Sequence, residues 1–281
     1  MEELTSFLTS IGEEVEDAEE ECFLLFAQDI PSANLGFVDS RATSVDVTIH
    51  GQDYTINQSP TLLSSSRAGG TTGAALELGC GISGLIALAL SPTITHYIAT
   101  DQEYVHRLLR SNLESNAPKQ PHPKSKASNR KPGKQGANNK ASQKSTTNIT
   151  FTTLDWETDD PATLKDSVPA SDGNTDRGFD VLISCDCIYN DALIAPFVRT
   201  CADVCRLRAV YAPGGELREE NKPTVCVIAQ QQRSPEVFEA WLRETMREFR
   251  VWRVSDEVLG SKLASGSGYL VHVLVLKDGG R

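Results

Sequence analysis

Three glycines between two apolar segments constrain this chain more than any other feature. Residues 77–84 read Glu-Leu-Gly-Cys-Gly-Ile-Ser-Gly, and Leu85–Leu90 follows as an apolar run. This spacing is typical of a strand that turns sharply into a helix, where Gly79 and Gly81 leave room for a ligand and Gly84 lets the helix pack close to the strand. The segment therefore predicts the nucleotide-binding turn of an α/β domain.

An acidic residue follows this turn at the distance that suits a ribose. Asp101 ends the segment 97–101, which predicts a second strand about 20 residues after the glycines. A carboxylate at the end of that strand accepts hydrogen bonds from a ribose diol. The turn, including Cys80, and Asp101 therefore indicate a site for an adenosine-bearing cofactor.

Glu77 bears on the identity of that cofactor. Its carboxylate lies two residues before Gly79, where it can face a cationic group of the ligand. S-adenosylmethionine carries a sulfonium and an ammonium, whereas the pyrophosphate of NAD prefers helix-terminal amides without a nearby carboxylate. The residue favours S-adenosylmethionine, while an NAD-linked oxidoreductase and a purely structural role in the turn stay open.

Two further segments end in side chains suited to a ligand site. Residues 179–190 predict a buried strand that ends in Asp186 and Tyr189, and residues 151–156 predict a shorter strand that ends in Asp155 and Trp156. Open α/β sheets bind ligands at the carboxyl ends of their strands. Turn capping by Asp186 and a core position for Tyr189 are the alternatives.

The motifs in combination resemble a known enzyme group. Glu-Leu-Gly-Cys-Gly, Leu154-Asp155-Trp156 and Asp186-x-x-Tyr189 together resemble the seven-strand (class I) protein-lysine methyltransferases with an Asp-x-x-Tyr motif. Within that group, further segments resemble the fungal ribosomal lysine N-methyltransferase 5 branch, whose substrate class is a large-subunit (60S) ribosomal protein; they are residues 56–60, 70–73, 186–190, 196–197 and 205–208.

The resemblance implies a cofactor, a reaction and a set of site residues. It implies transfer of a methyl group from S-adenosylmethionine to a lysine, with Asp186 orienting the lysine and Tyr189 forming the wall of its channel. Trp156 is expected to pack on the adenine and the backbone of Cys185 to lie beside it. The cofactor-binding residues are then Glu77, Gly79, Cys80, Gly81, Asp101, Trp156 and Cys185.

One departure from the resembled enzymes concerns the residues before the glycine strand. In those enzymes Thr-Thr-Gly is followed by a tryptophan-bearing helix that covers the cofactor, but here Gly73-Ala74 runs directly into Ala75-Leu76. A stable helix needs about 12 residues, so none fits in this space. A shortened, non-catalytic paralogue that acts as a binding module is therefore the main alternative to an active enzyme.

The chain as a whole predicts an α/β fold, a Rossmann-like seven-strand methyltransferase sheet with an N-terminal β-hairpin at 45–56. Residues 1–44 are interpreted as an acidic, helical extension and residues 45–281 as the methyltransferase domain. The acidic run at 13–21 is interpreted as a solvated face or a frayed end, with a partner-binding role as the alternative. Helices are expected at 82–90, 102–116, 191–208 and 235–248, and the remaining strands at 224–229, 249–254 and 269–276.

Residues 117–148 form a basic insert that cannot build a core. They hold eight Lys and Arg residues and no Asp or Glu, among Pro, Gly, Ser, Asn and Gln, and are therefore expected to be disordered. A tolerated surface insert, weak contact with RNA and nuclear import all stay open.

Charge and cysteine content narrow the class of protein. The formal net charge of -11 disfavours general nucleic-acid binding and suits a basic partner such as a ribosomal protein. The seven cysteines are interpreted as small buried residues, with no metal expected. We expect no membrane association and a cytoplasmic location, with the nucleus as an alternative.

Overall fold

The computed structural model describes residues 2–28, 44–49, 51–57, 72–116, 148–167, 178–208, 210 and 222–277. Within these ranges the strands are β1 (Gly12–Glu14), β2 (Ser44–Ile49), β3 (Gln52–Asn57), β4 (Thr72–Leu78), β5 (Ile94–Asp101), β6 (Ile149–Thr153), β7 (Val181–Cys185), β8 (Val225–Gln231), β9 (Phe249–Val254) and β10 (Tyr269–Leu276). The α-helices are α1 (Glu2–Ile11), α2 (Ala18–Phe26), α3 (Leu85–Leu90), α4 (Glu103–Asn116), α5 (Asp191–Cys205), α6 (Pro235–Glu248) and α7 (Asp256–Leu259).

The main sheet has eight strands in the order β1-β9-β10-β8-β7-β4-β5-β6. Strands β4 to β8 run parallel to one another, while β10 runs antiparallel to both β8 and β9. The chain order reverses at β4, which lies between β5 and β7, so the carboxyl ends of these strands form the crevice where such sheets bind ligands. The predicted seven-strand Rossmann-like fold is confirmed in β4 to β10, and β1 adds an unpredicted edge strand.

Helices cover both faces of this sheet because side chains alternate along its buried strands. Leu76 and Leu78 of β4 belong to the core under α5 and α6, together with Phe197 and Trp241. Ala75 of the same strand belongs to the core on the opposite face, under α3 and α4. Because β4 lies between these two layers of helices, the position of its carboxyl end and of the glycine turn that follows is fixed.

The predicted β-hairpin is present as β2 and β3, paired antiparallel. It lies against α3 and α4, since the buried Tyr54 packs with Leu85 and Leu88. The amide of Asn116, at the end of α4, donates to the carbonyl of Thr55 at 2.9 Å and accepts from its N–H at 2.8 Å. The hairpin is therefore fixed to the helix that follows Asp101.

The acidic run at 13–21 is not simply a solvated face. Glu14 lies in β1 and accepts two hydrogen bonds of 2.7 Å from Arg250 of β9. Glu21, in α2, is only 6% exposed and is held by Arg253 at 2.6 Å and by His272 at 3.3 Å. The interpretation as a solvated face is wrong for these residues, because two arginines of β9 form ion pairs with them.

Some predicted segments lie outside the described residues. These include residues 117–147 of the basic insert and residues 58–71, which carry part of the resemblance to the ribosomal methyltransferase branch. Strand β4 begins at Thr72, so residues 73–75 belong to a strand, as the absence of room for a helix predicts. The described residues contain no helix of the length and apolarity that crossing a membrane demands.

Candidate active site

The glycine turn has the backbone conformation that its sequence predicts. Gly79, Gly81 and Gly84 have φ angles of 67°, 60° and 61°, in the left-handed region that side-chain-bearing residues rarely adopt. A Cβ atom at Gly84 would lie 2.9 Å or less from Leu109 and Leu113 of α4. A Cβ atom at Gly81 would meet nothing within 4 Å. Gly84 therefore serves helix packing, while Gly81 borders open space.

Asp101 is tied directly to this turn. Its Oδ2 accepts the backbone N–H of Gly81 at 2.8 Å, and its Oδ1 accepts that of Gln102 at 2.7 Å. Desolvation raises the pKa of the Asp101 carboxyl, and these two N–H groups act in the opposite direction. Each carboxylate oxygen keeps a further lone pair for a ligand hydroxyl. The structure therefore joins the predicted ribose acceptor to the predicted cofactor turn.

Glu77 lies beneath the turn. The residue is 2% exposed, and its Oε2 accepts a hydrogen bond of 2.7 Å from the hydroxyl of Tyr97. Burial raises the pKa of Glu77 to about 7, although the Tyr97 bond lowers it and the Asp101 charge adds a smaller increase. The structure thus shows its carboxyl against Tyr97, and contact with a cationic ligand group stays a prediction.

Two neighbours of Gly79 define the wall of the turn. A Cβ atom there would lie 2.3 Å from the Cys187 sulfur and 3.4 Å from the Trp156 ring. Trp156 also meets Phe197 edge-on, with ring centroids 5.1 Å apart. The predicted adenine wall is therefore adjacent to the glycine turn. Cys187 was not among the predicted site residues, since the spacing of the cysteines says nothing about its position under Gly79.

The predicted lysine-binding pair lies just beyond β7. Asp186 has a φ of 57°, the only positive φ of a non-glycine residue within the described part of the chain. Its Oδ2 forms an ion pair with Arg233, and its Oδ1 accepts the backbone N–H of Gln231 at 3.3 Å. Desolvation raises the pKa of Asp186, while Arg233 and the Gln231 bond oppose the rise. Tyr189 is 58% exposed.

Tyr104 is an exposed aromatic residue close to Asp101 in the chain. It lies in the first turn of α4, three residues after Asp101, and is 75% exposed. Partial desolvation raises the pKa of its phenol, and the charges of Asp101 and Tyr189 raise it further. Tyr104 and Tyr189 follow β5 and β7, two of the strands whose carboxyl ends form the crevice.

The remaining predicted residues lie in the same region. Cys80 is buried within the turn, and its N–H donates to the carbonyl of Thr100 at 3.0 Å. Cys185 is the last residue of β7 and is half-buried. The structure thus gathers the predicted residues at the carboxyl ends of β4, β5 and β7 and in the segments that follow β6 and β7.

This strand order and the glycine turn joined to Asp101 define the class I S-adenosylmethionine-dependent methyltransferase fold. The chain is 27% identical over 184 residues to ribosomal lysine N-methyltransferase 5 of Zygosaccharomyces rouxii, a match that covers 66% of this chain and 54% of that protein. The resemblance inferred from the motifs is thereby confirmed. No family model matches the sequence.

A second curated relative carries a different name. The chain is 25% identical over 282 residues to diaminohydroxyphosphoribosylamino-pyrimidine deaminase of Schizosaccharomyces pombe, covering 90% of this chain and 57% of that protein. The chain therefore spans about half the length of the curated relatives it matches.

The solved structures that match this chain have lower sequence identity to it than the curated relatives have. The N-methyltransferase NodS of Bradyrhizobium japonicum, in complex with S-adenosyl-L-homocysteine, matches with a TM-score of 0.38 and 10% identity over 75% of this chain and 80% of that chain. The Methanococcus jannaschii fibrillarin pre-rRNA processing protein matches with a TM-score of 0.41 and 12% identity over 90% and 88%. The assignment of the fold rests on the strand order and register.

Proposed function

We propose that this protein is an S-adenosylmethionine-dependent protein-lysine N-methyltransferase that acts on a large-subunit ribosomal protein. The observation that carries the proposal is the hydrogen bond between Asp101 and Gly81 at the edge of the sheet where Asp186 and Tyr189 also lie. This placement supports a cofactor site and an ammonium-binding carboxylate in one crevice. The similarity to a ribosomal lysine methyltransferase supports the choice of acceptor.

The residues present fit the cofactor. A Cβ atom at Gly81 would meet nothing within 4 Å, which leaves space at the turn, and Asp101 offers free lone pairs for a ribose diol. The edge of Trp156 beside Gly79 offers an apolar surface for a purine. The bound cofactor would supply an electrophilic methyl group on its sulfonium.

The protein must then align and deprotonate the acceptor. A free lysine has a pKa of about 10.4, so the neutral amine costs about 4.6 kcal/mol at pH 7. Burial against aromatic walls such as Tyr189 lowers that pKa, whereas the carboxylate of Asp186 favours the ammonium. We therefore assign Asp186 to capture and orientation, and the proton leaves to water.

The test begins with cofactor binding by isothermal titration calorimetry, with S-adenosylmethionine and NAD as the two ligands. We expect binding of the first alone, and Asp101→Ala to weaken it by about 1.5 to 3 kcal/mol through loss of charge-assisted hydrogen bonds. The matched control is Asp203→Ala, which removes a carboxylate of α5 that pairs with Arg206. This variant should bind the cofactor as the parent does. Equal affinity for the parent and Asp101→Ala contradicts the ribose assignment.

The second measurement is transfer of a radiolabelled methyl group to proteins extracted from large ribosomal subunits of a strain that lacks this gene. We expect the parent to label a lysine and Asp186→Asn to bind the cofactor normally without transfer. Transfer by Asp186→Asn at the parent rate contradicts the role of Asp186. Binding of S-adenosylmethionine without transfer by the parent would support the alternative of a non-catalytic binding module.

A further inference from the structure

The ion pair between Asp186 and Arg233 occupies the carboxylate that a substrate lysine would use. We infer that Arg233 is the resident counter-cation of Asp186, and that the substrate ammonium is captured by replacing the Arg233 guanidinium on that carboxylate. The inference rests on the proposed function, and it assigns Arg233 as a positioning residue. Arg233 lies two residues beyond the end of β8 and directly before Ser234, the N-cap of α6.

The two members of the pair differ in their access to solvent. The Asp186 side chain is 14% exposed, whereas that of Arg233 is 48% exposed. The carboxylate is therefore fixed within the sheet edge, while the guanidinium reaches it from the solvent side. A substrate lysine must approach from that same side, so both cations compete for one position.

The contacts around the pair show which half can move. Asp186 is anchored through its N–H, which donates to the carbonyl of Ala229 at 2.8 Å, and through the Gln231 N–H at its Oδ1. Besides Asp186, Arg233 has one described side-chain contact, a bond of 2.8 Å from its Nε to Oε1 of Gln231. A half-exposed arginine with this single further bond can move into water when another cation takes its place on the carboxylate.

Burial of the carboxylate explains why a counter-cation is present before the substrate arrives. A largely buried carboxylate without a partner is costly, and removing one member of such a pair destabilises the other. A recess of about 60 Å³ lies on the Arg233 side of the pair and is lined by Tyr189, Gln231 and Arg233 among others. An alkylammonium that enters beside Tyr189 restores the compensation that Arg233 gives up.

The exchange is testable without a methyl donor or a protein substrate. The probe is n-butylammonium chloride, which copies the end of a lysine side chain, titrated at constant ionic strength into the isotopically labelled full chain and followed by NMR at the amides of Asp186 and Gln231. n-Butanol serves as the uncharged control ligand. We expect Arg233→Gln to bind the ammonium about tenfold more tightly than the parent. A resident competitor that is bound for about nine-tenths of the time leaves the carboxylate free for about one-tenth, and this reduces the apparent affinity about tenfold.

Matched variants separate exchange from a structural role. Arg243→Gln removes an arginine of α6 that pairs with Glu239 instead, and it should bind n-butylammonium as the parent does. Gln231→Ala keeps Arg233 but removes the acceptor of its Nε, so it should also tighten ammonium binding and replaces Arg233→Gln if that variant does not fold. Asp186→Asn should abolish ammonium binding with and without Arg233→Gln.

The inference is overturned if the parent and the folded variants at 231 and 233 bind the ammonium with equal affinity. It is also overturned if the tighter binding persists with Asp186→Asn. Failure of the proposed function is seen separately, as absent S-adenosylmethionine binding or absent methyl transfer by the parent. If transfer is observed, Arg233→Gln should lower KM for the ribosomal protein while kcat changes less, a split that loss of folding does not produce.

Discussion

Glu77 contributes a part of the free energy of unfolding that depends on pH in a predictable direction. Its carboxyl is 2% exposed, and burial raises its pKa from 4.5 to about 7. Because the folded-state pKa lies above the unfolded one, this stability is fully present below about pH 4.5 and is lost as the pH rises through about 7. At about 1.4 kcal/mol for each pH unit between the two values, the loss amounts to about 3 kcal/mol.

Glu77→Gln removes this titration while keeping an oxygen that accepts the Tyr97 hydroxyl. We expect the variant to exceed the parent in free energy of unfolding by about 3 kcal/mol at pH 8, and by no more than about 1 kcal/mol at pH 5. The measurement is urea unfolding at pH 5, 6, 7 and 8, followed by the fluorescence of the buried Trp241 and Trp252. Comparing variant with parent at each pH removes the contributions of the other carboxyls.

Tyr97→Phe is the companion variant, since it removes the hydroxyl that stabilises the ionised carboxylate. It should lose more stability at pH 8 than at pH 5. A difference between Glu77→Gln and the parent that stays constant from pH 5 to pH 8 refutes the reasoning, because the carboxyl would then have the same pKa in the folded and unfolded chains.

Two matched pairs of variants test the turn and the N-terminal segment. Gly79→Ala should destabilise the protein by about 2 to 4 kcal/mol in urea unfolding, because the new methyl group meets a sulfur 2.3 Å away and the positive φ is unfavourable for alanine. Gly81→Ala should cost only about 1 to 2 kcal/mol, for its positive φ alone, and should lower cofactor affinity instead. Glu21→Gln should lower the free energy of unfolding by about 3 kcal/mol, because it leaves Arg253 without its buried partner. Glu13→Gln removes a 77% exposed partner of the same arginine and should lower it by less than about 1 kcal/mol. Equal costs within either pair would contradict these assignments.

The sequence alone predicted the fold and the glycine turn that precedes Asp101. The glycine spacing, the apolar run before it and Asp101 at the end of the next strand are local patterns, and each element keeps its own period of hydrophobic residues. Gly84 illustrates this: its spacing of three residues from Gly81 predicts close packing of the helix, whereas only the structure shows that the nearest partners are Leu109 and Leu113 of α4. The strand at 269–276 and the hairpin at 45–56 were predicted in the same way.

Tertiary structure alone decided which side chains surround those positions. Arg233 pairs with Asp186 across 47 residues of sequence, and the Cys187 sulfur lies near the Gly79 carbonyl across 108. Neither partner has a periodicity or spacing that marks it, because each contact arises only when β7 and β8 align and the loop after β7 folds back under the turn. Glu21 was likewise taken for a solvated acid, since the arginine and histidine that bury it come from β9 and β10 at the other end of the chain. A local pattern fixes the conformation of its own segment, whereas the charge and burial of a side chain depend on neighbours that only the assembled sheet supplies.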